Sequence, residues 1–138
     1  MPYFKDEQEV YRYLGALFGN LLADEELAPK FAEANTIVQY QCRNPTSQIT
    51  IRLLTAEPLQ VDFAQSELQP EVVMVMDADV AHRFWLGKVN VTFALARGQI
   101  KTKGPVAKIL KLAPLVKAVI PRYKAQLEAA GRHDLVEA

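Results

Sequence analysis

The sequence predicts an α+β domain, and three observations predict it. Residues 36–63 hold three stretches in which apolar and polar residues alternate. Apolar residues recur with a helical period on both sides of that block. Between them, Val72-Val73-Met74-Val75-Met76 is an unbroken apolar run, as in a strand covered on both sides or placed centrally. A chain of 138 residues suits one domain. At that size roughly 68% of the surface of the unfolded form is buried, enough for a core with room for a cavity. The expected organisation is a single domain, 1–138, with N-terminal helices over 1–34, a sheet with inserted helices over 35–104 and C-terminal helices over 105–131.

The elements follow in order. Asp6–Leu22 reads as an amphipathic helix, because Val10, Leu14, Leu17, Phe18, Leu21 and Leu22 share one face and Asp6 with Glu9 resembles a capping box. Gly15 and Gly19 each weaken it by roughly 1 kcal/mol relative to Ala. Four residues apart, they form one stripe suited to tight packing on the sheet. Asp24 fits the cap of a second helix, with Pro29 in its first turn or at a break. Val38, Tyr40 and Cys42 alternate with Gln39, Gln41 and Arg43, and Ile49, Ile51 and Leu53 alternate with Thr50 and Arg52. The link Asn44-Pro45-Thr46-Ser47 predicts that these two strands form a hairpin. Leu59, Val61 and Phe63 make a third strand. After the apolar run, Asp77 or Asp79 is expected to cap a helix carrying Phe84 and Trp85, which Gly87 ends. Asn90 caps a short helix that Gly98 ends, and Gln99–Lys103 is a short strand. Pro105, Pro114 and Pro121 each fit a first helical turn, which predicts separate helices over 105–112, 114–120 and 121–130.

Composition excludes several functions. Net charge is zero, but residues 1–80 hold 13 acidic and 5 basic side chains, and residues 81–138 hold 3 and 11. Either the halves interleave and cancel, or the basic half offers a face to an anionic partner such as a phospholipid surface or a coenzyme A phosphate. Nucleic acid is not expected, since no basic stripe is interleaved with aromatics. No 18-residue apolar run is present. The N-terminus lacks the apolar segment of a signal peptide, Val136-Glu137-Ala138 is not a peroxisomal address, and the single Cys42 fits a reducing compartment; the expectation is a cytoplasmic protein.

Residues that do chemistry are sparse. His82 and His133 are the only histidines and neither has a partner at metal-ligand spacing. Cys42 alternates inward, as an inert core thiol does. Ser47 and Ser66 lack a nucleophile elbow, and Asp77 with Asp79 reads as capping rather than an acid–base pair. No catalytic residue, metal ligand or cofactor is expected.

The glycine blocks point elsewhere. Gly87-Lys88-Val89-Asn90 and, after seven intervening residues, Gly98-Gln99-Ile100-Lys101-Thr102-Lys103-Gly104 sit behind the apolar run and the Phe84–Trp85 helix. That order and spacing resembles the sterol carrier protein 2 (SCP2-like) lipid-binding domain. Met76-Asp77-Ala78-Asp79 looks like the family's strand-to-helix junction, and Gln99-Ile100-Lys101 like its short Gly-Lys-Leu-Lys strand. The resemblance is clearest over residues 72–112. It departs at Val91, where many members have proline, and at the first hairpin, where many turn through Asp and Gly.

The resemblance implies a mixed, mostly antiparallel five-stranded sheet covered by helices, with an apolar tunnel. It implies non-catalytic binding or transfer of a fatty acid, fatty acyl-CoA or sterol-like lipid. Two alternatives are an accessory domain presenting a lipid-like substrate to partner enzymes, as in ubiquinone synthesis, and a small acyl-CoA-handling enzyme. The lining expected for such a cavity is Met74, Met76, Trp85, Phe93, Ile100, Ile109 and Leu112, with Leu115, Val116, Val119 and Ile120 on the proline-broken segment 113–130, which would suit a lid. Lys101, Lys103, Lys108 and Lys111 are expected to hold an anionic headgroup at the mouth or to meet an anionic membrane surface.

Overall fold

The first helix begins where the sequence offers an acceptor. In the computed structural model, which describes residues 2–138, the Asp6 carboxylate accepts the Glu9 N–H at 3.0 Å and Glu9 accepts the Lys5 N–H at 2.9 Å. Helix α1 (Glu7–Val10), a π-helical turn (Tyr11–Gly15) and helix α2 (Ala16–Ala23) run on without a break. Their buried face is Val10, Leu14, Leu17, Phe18 and Leu21, the stripe given by the helical period. Asp24 then accepts the Glu26 and Leu27 N–H groups at 2.9 and 2.8 Å, starting α3 (Leu27–Ala32) with Pro29 in its first turn.

Five strands follow: β1 (Thr36–Arg43), β2 (Ser47–Leu53), β3 (Gln60–Phe63), β4 (Val72–Asp77) and β5 (Ile100–Lys103). Their order is β3-β2-β1-β4-β5. Strands β1 and β4 are parallel and the other three neighbouring pairs antiparallel. The sheet is therefore mixed and mostly antiparallel, in an α+β fold. The hairpin closes with Cys42 opposite Ser47. Strand alternation sets Val38, Tyr40, Ile49, Ile51, Leu53, Met74, Met76 and Ile100 on one buried face. Strand β4 sits between β1 and β5 and its alternate residues Val73 and Val75 are half-buried on the other face. On that face the Gln39 amide donates to the Thr50 hydroxyl at 3.1 Å, so two buried polar side chains satisfy each other.

Helix α4 (Ala78–Trp85) follows β4 directly. Neither aspartate caps it through its side chain: Asp77 faces Arg43 at 3.5 Å, and Asp79 accepts the Tyr3 N–H at 2.9 Å. Asn90 does cap α5 (Val91–Ala96), accepting the Phe93 N–H at 3.1 Å. Gly104 ends β5 at φ +89°, and a Cβ there would overlap the Glu71 carbonyl, so only glycine fits.

The C-terminal part departs from the expected three helices. After α6 (Ala107–Leu110), α7 runs unbroken over Ala113–Ala129 with Pro121 inside it. Proline removes one ladder hydrogen bond, but Val119, Tyr123 and Leu127 on either side of it form one buried stripe that holds the helix together. The segment is thus not a set of separately hinged pieces. Helix α8 (His133–Val136) completes the chain.

Candidate functional site

An apolar cavity of about 630 Å³ lies between the buried face of the sheet and the helices. The sheet contributes Val38 and Tyr40 from β1, Ile51 and Leu53 from β2, Met74 and Met76 from β4, and Ile100 from β5. Phe18 and Leu21 of α2, Phe31 of α3, and Ala81, Phe84 and Trp85 of α4 form further walls. Val91, Thr92 and Leu95 of α5 face Ile109 and Leu110 of α6, Leu112, and Ala113 and Val116 of α7. Thr92, Leu110 and Ala113 are exposed, so the cavity opens between α5 and the α6–α7 junction.

The wall holds no Asp, Glu, Lys, Arg or His. Its polar side chains are those of Thr92, exposed at the mouth, and Tyr40, and the Trp85 ring lies in the wall with its indole N–H closed off. Burial pushes the Tyr40 phenol up, so it stays neutral. The neighbouring Cys42 thiol, buried on the same strand, is pushed up to about 11 by burial and is inert at neutral pH.

Of the residues expected in the lining, Met74, Met76, Trp85, Ile100, Ile109, Leu112 and Val116 lie in it. Phe93 does not: it is 63% exposed on the far face of α5, because Val91 and Leu95, one turn apart, take the cavity side. Leu115 is half-buried outside the lining. Val119 packs toward Leu17, Leu21 and Leu27, and Ile120 lies against Gly87. With α7 continuous, only its first turn reaches the cavity. The strand and helix residues before position 72 that complete the wall, such as Phe18 and Tyr40, carry an inward-facing signal in the sequence, but nothing there separates a cavity wall from solid core.

The lysines divide. Alternation in β5 turns Lys101 and Lys103 away from Ile100, onto the face opposite the cavity. Lys108 is engaged, at 3.0 Å from Glu71 and donating to the Asn35 carbonyl at 3.2 Å. The Thr36 hydroxyl and Lys108 together hold the Glu71 carboxylate below its ordinary range. Lys111 is exposed between the lining residues Leu110 and Leu112.

His82 does no work at the cavity. It is fully buried, with Nδ1 2.8 Å from the Tyr123 hydroxyl and Nε2 2.8 Å from the Leu135 carbonyl. Because a carbonyl only accepts, Nε2 carries the proton and Nδ1 accepts from Tyr123. Among the described residues no three His, Cys, Asp or Glu side chains are placed to hold a metal ion, and no helix is long and apolar enough to cross a membrane.

Solved structures share this arrangement. The sterol carrier protein domain 2 of Helicoverpa armigera is 19% identical, with a TM-score of 0.66 over 88% of this chain and 95% of that one. Sterol carrier protein 2 from Yarrowia lipolytica, also 19% identical, gives 0.62 over 75% and 87%. The ubiquinone synthesis protein UbiJ-SCP2 gives 0.57 at 10% identity, over 80% and 95%. At these identities the likeness is one of fold. No curated protein matches the chain in sequence. The model of the SCP-2 sterol transfer family matches residues 16–117, most of the sequence and every strand of the cavity floor, and the chain belongs to that family, whose description ties it to lipid or sterol binding and transfer in general.

Proposed function

We propose that this chain is a non-catalytic carrier that binds one lipid, a fatty acid, fatty acyl-CoA or sterol-like molecule, in the cavity, and that it delivers the lipid at an anionic membrane surface in the cytoplasm. The observation that carries the reading is the cavity itself. Its volume of about 630 Å³ lies within the range of small-molecule sites, and its wall is almost wholly apolar. Each methylene removed from water contributes about 0.8 kcal/mol, so a 16-carbon chain would gain roughly 12 kcal/mol gross, before the cost of ordering it. Met74 and Met76 in the floor suit several ligand shapes, since the unbranched thioether repacks at little cost.

The mouth supports delivery at a membrane. It is formed by α5, α6 and the start of α7, all inside residues 80–127, which contain ten Lys or Arg and no Asp or Glu. Leu110 stands exposed there at 42%. In place of the expected lysine set, Arg97, Lys111 and Lys117 are the cations on these mouth-forming segments that lack an acidic partner among the described residues.

Native mass spectrometry of the protein purified without added lipid tests the carrier reading. The expected spectrum shows a bound lipid. After its removal, long-chain fatty acid should change the fluorescence of Trp85, the only tryptophan. A folded, lipid-free protein that takes up neither fatty acid nor sterol would end the reading. A stable complex with another protein and no lipid would favour the accessory-domain alternative.

A further inference from the structure

We infer that Leu21 gauges the length of the lipid: its side chain is the partition between the closed end of the cavity and a smaller cavity behind it, and so sets the longest tail the site takes. The inference rests on the carrier reading and narrows it to a limit on chain length.

The cavity runs across the sheet. Its opening lies by α5, which packs on β5 at one edge of the strand order β3-β2-β1-β4-β5. Helices α2 and α3 pack on β3 and β2 at the other edge. There Phe18, Leu21 and Phe31 line the cavity and are all buried, so this end is closed. A lipid enters tail first, because no cation lines the wall and an ionised headgroup without one is strongly disfavoured in an apolar site. The tail therefore ends against α2 and α3.

A second cavity, of about 90 Å³, lies behind that end among α2, α3 and α7. Leu17, Leu27 and Val119 give it an apolar side. Asp24 paired with Arg122, and Asn20 hydrogen-bonded to Gln126, close its outer rim. Leu21 is the one residue that lines both spaces. It stands one turn on from Leu17, which lines only the small cavity, and from Phe18, which lines only the large one. A buried leucine reduced to alanine loses three carbons and leaves a hole, because the surroundings relax only partly. At this place the hole joins the two spaces and lengthens the path open to a tail.

The test uses the delipidated full chain and the saturated fatty acids from decanoate to docosanoate, in steps of two carbons, each displacing a fluorescent fatty acid. Affinity should rise about 4-fold for every added carbon until the tail meets Leu21, and level off beyond that length. Leu21→Ala should move this break about two to four carbons toward longer acids. Leu21→Phe, which keeps the place filled and decides the matter should the alanine variant not fold, should move it toward shorter ones. Leu17→Ala, which widens only the small cavity, should leave it in place. A break unmoved by the Leu21 variants, or moved as far by Leu17→Ala, would overturn the gauge while leaving the carrier reading intact. Uptake of cholesterol but of no fatty acid would also overturn the gauge alone. Binding of neither would overturn the carrier reading, and this inference with it.

Discussion

His82 ties three helices with two hydrogen bonds, from α4 to Tyr123 of α7 and to the Leu135 carbonyl of α8, while Tyr3 and Phe4 close over it edge-on at 5.6 and 5.2 Å. Burial lowers its pKa below the usual value of 6.5; Lys88 adds to the fall, and the Leu135 carbonyl, Asp79 and Asp134 oppose it. A histidine depressed in the folded state binds fewer protons there than in the unfolded chain. Its stabilising contribution is therefore complete above pH 6.5 and declines as pH falls from 6.5 through the folded-state value. The melting temperature should drop between pH 7 and pH 5. The His82→Leu variant should lose most of that slope, because the other histidine, His133, is exposed. It should also be less stable throughout by about 1–3 kcal/mol, since the Tyr123 hydroxyl and Leu135 carbonyl lose their partners. Thermal melts of both proteins across that range check the sign, and a parallel slope in the variant would assign the pH dependence to carboxylates instead.

At the scale of elements, the glycines of the first helical stretch separate two causes that look alike in the sequence. Gly15 is there for space: a Cβ would come within 2.5 Å of the Phe63 ring, which stacks on Tyr11 at 5.1 Å. Gly19, one turn on, would meet nothing within 4 Å. Gly19→Ala should therefore stabilise the protein by about 0.5–1 kcal/mol through helix propensity alone. Gly15→Ala should destabilise it, because the Phe63 ring must leave its stack. Chemical denaturation of the two variants decides; a matching gain at both sites would mean that the ring yields freely. The same contrast explains what the sequence could tell. Alternation in 36–63 reports directly which side chains face inward, so the strands, the hairpin and the Asn90 cap were legible. Pro121 was misleading because local preference places proline in a first turn, whereas the buried stripe of Val119, Tyr123 and Leu127 comes from packing that no local signal shows. Tyr40 and Phe18 were legible as inward-facing but not as cavity wall, because periodicity gives direction and not the distance to the opposite layer.

For the whole molecule, the question is whether the acidic first half neutralises the basic second half. It does so at particular points: Glu71 meets Lys108, Asp24 meets Arg122, and Glu9 meets Arg132. Two further cations, Lys101 and Lys103, lie on the sheet face turned away from the cavity. Arg97, Lys111 and Lys117 are left on the segments that frame the opening, with Arg97 over the Phe93 ring at 5.9 Å. A cation near an anionic bilayer contributes about 1 kcal/mol, so these three would contribute roughly 3 kcal/mol, about two orders of magnitude in binding. Exposed charges are screened beyond roughly 8 Å at physiological ionic strength, so the effect should fade as salt rises. Replacing Arg97, Lys111 and Lys117 together with Gln should sharply slow lipid transfer to vesicles containing phosphatidylglycerol, and leave uptake of a neutral lipid from solution unchanged. Replacing Lys101 and Lys103 should do neither, since they face away from the opening. Transfer measured against salt concentration with both sets of variants separates the cases. If the Lys101 and Lys103 pair matters as much as the mouth set, or neutral vesicles receive lipid as fast as anionic ones, the cations at the opening act only as a solvated surface.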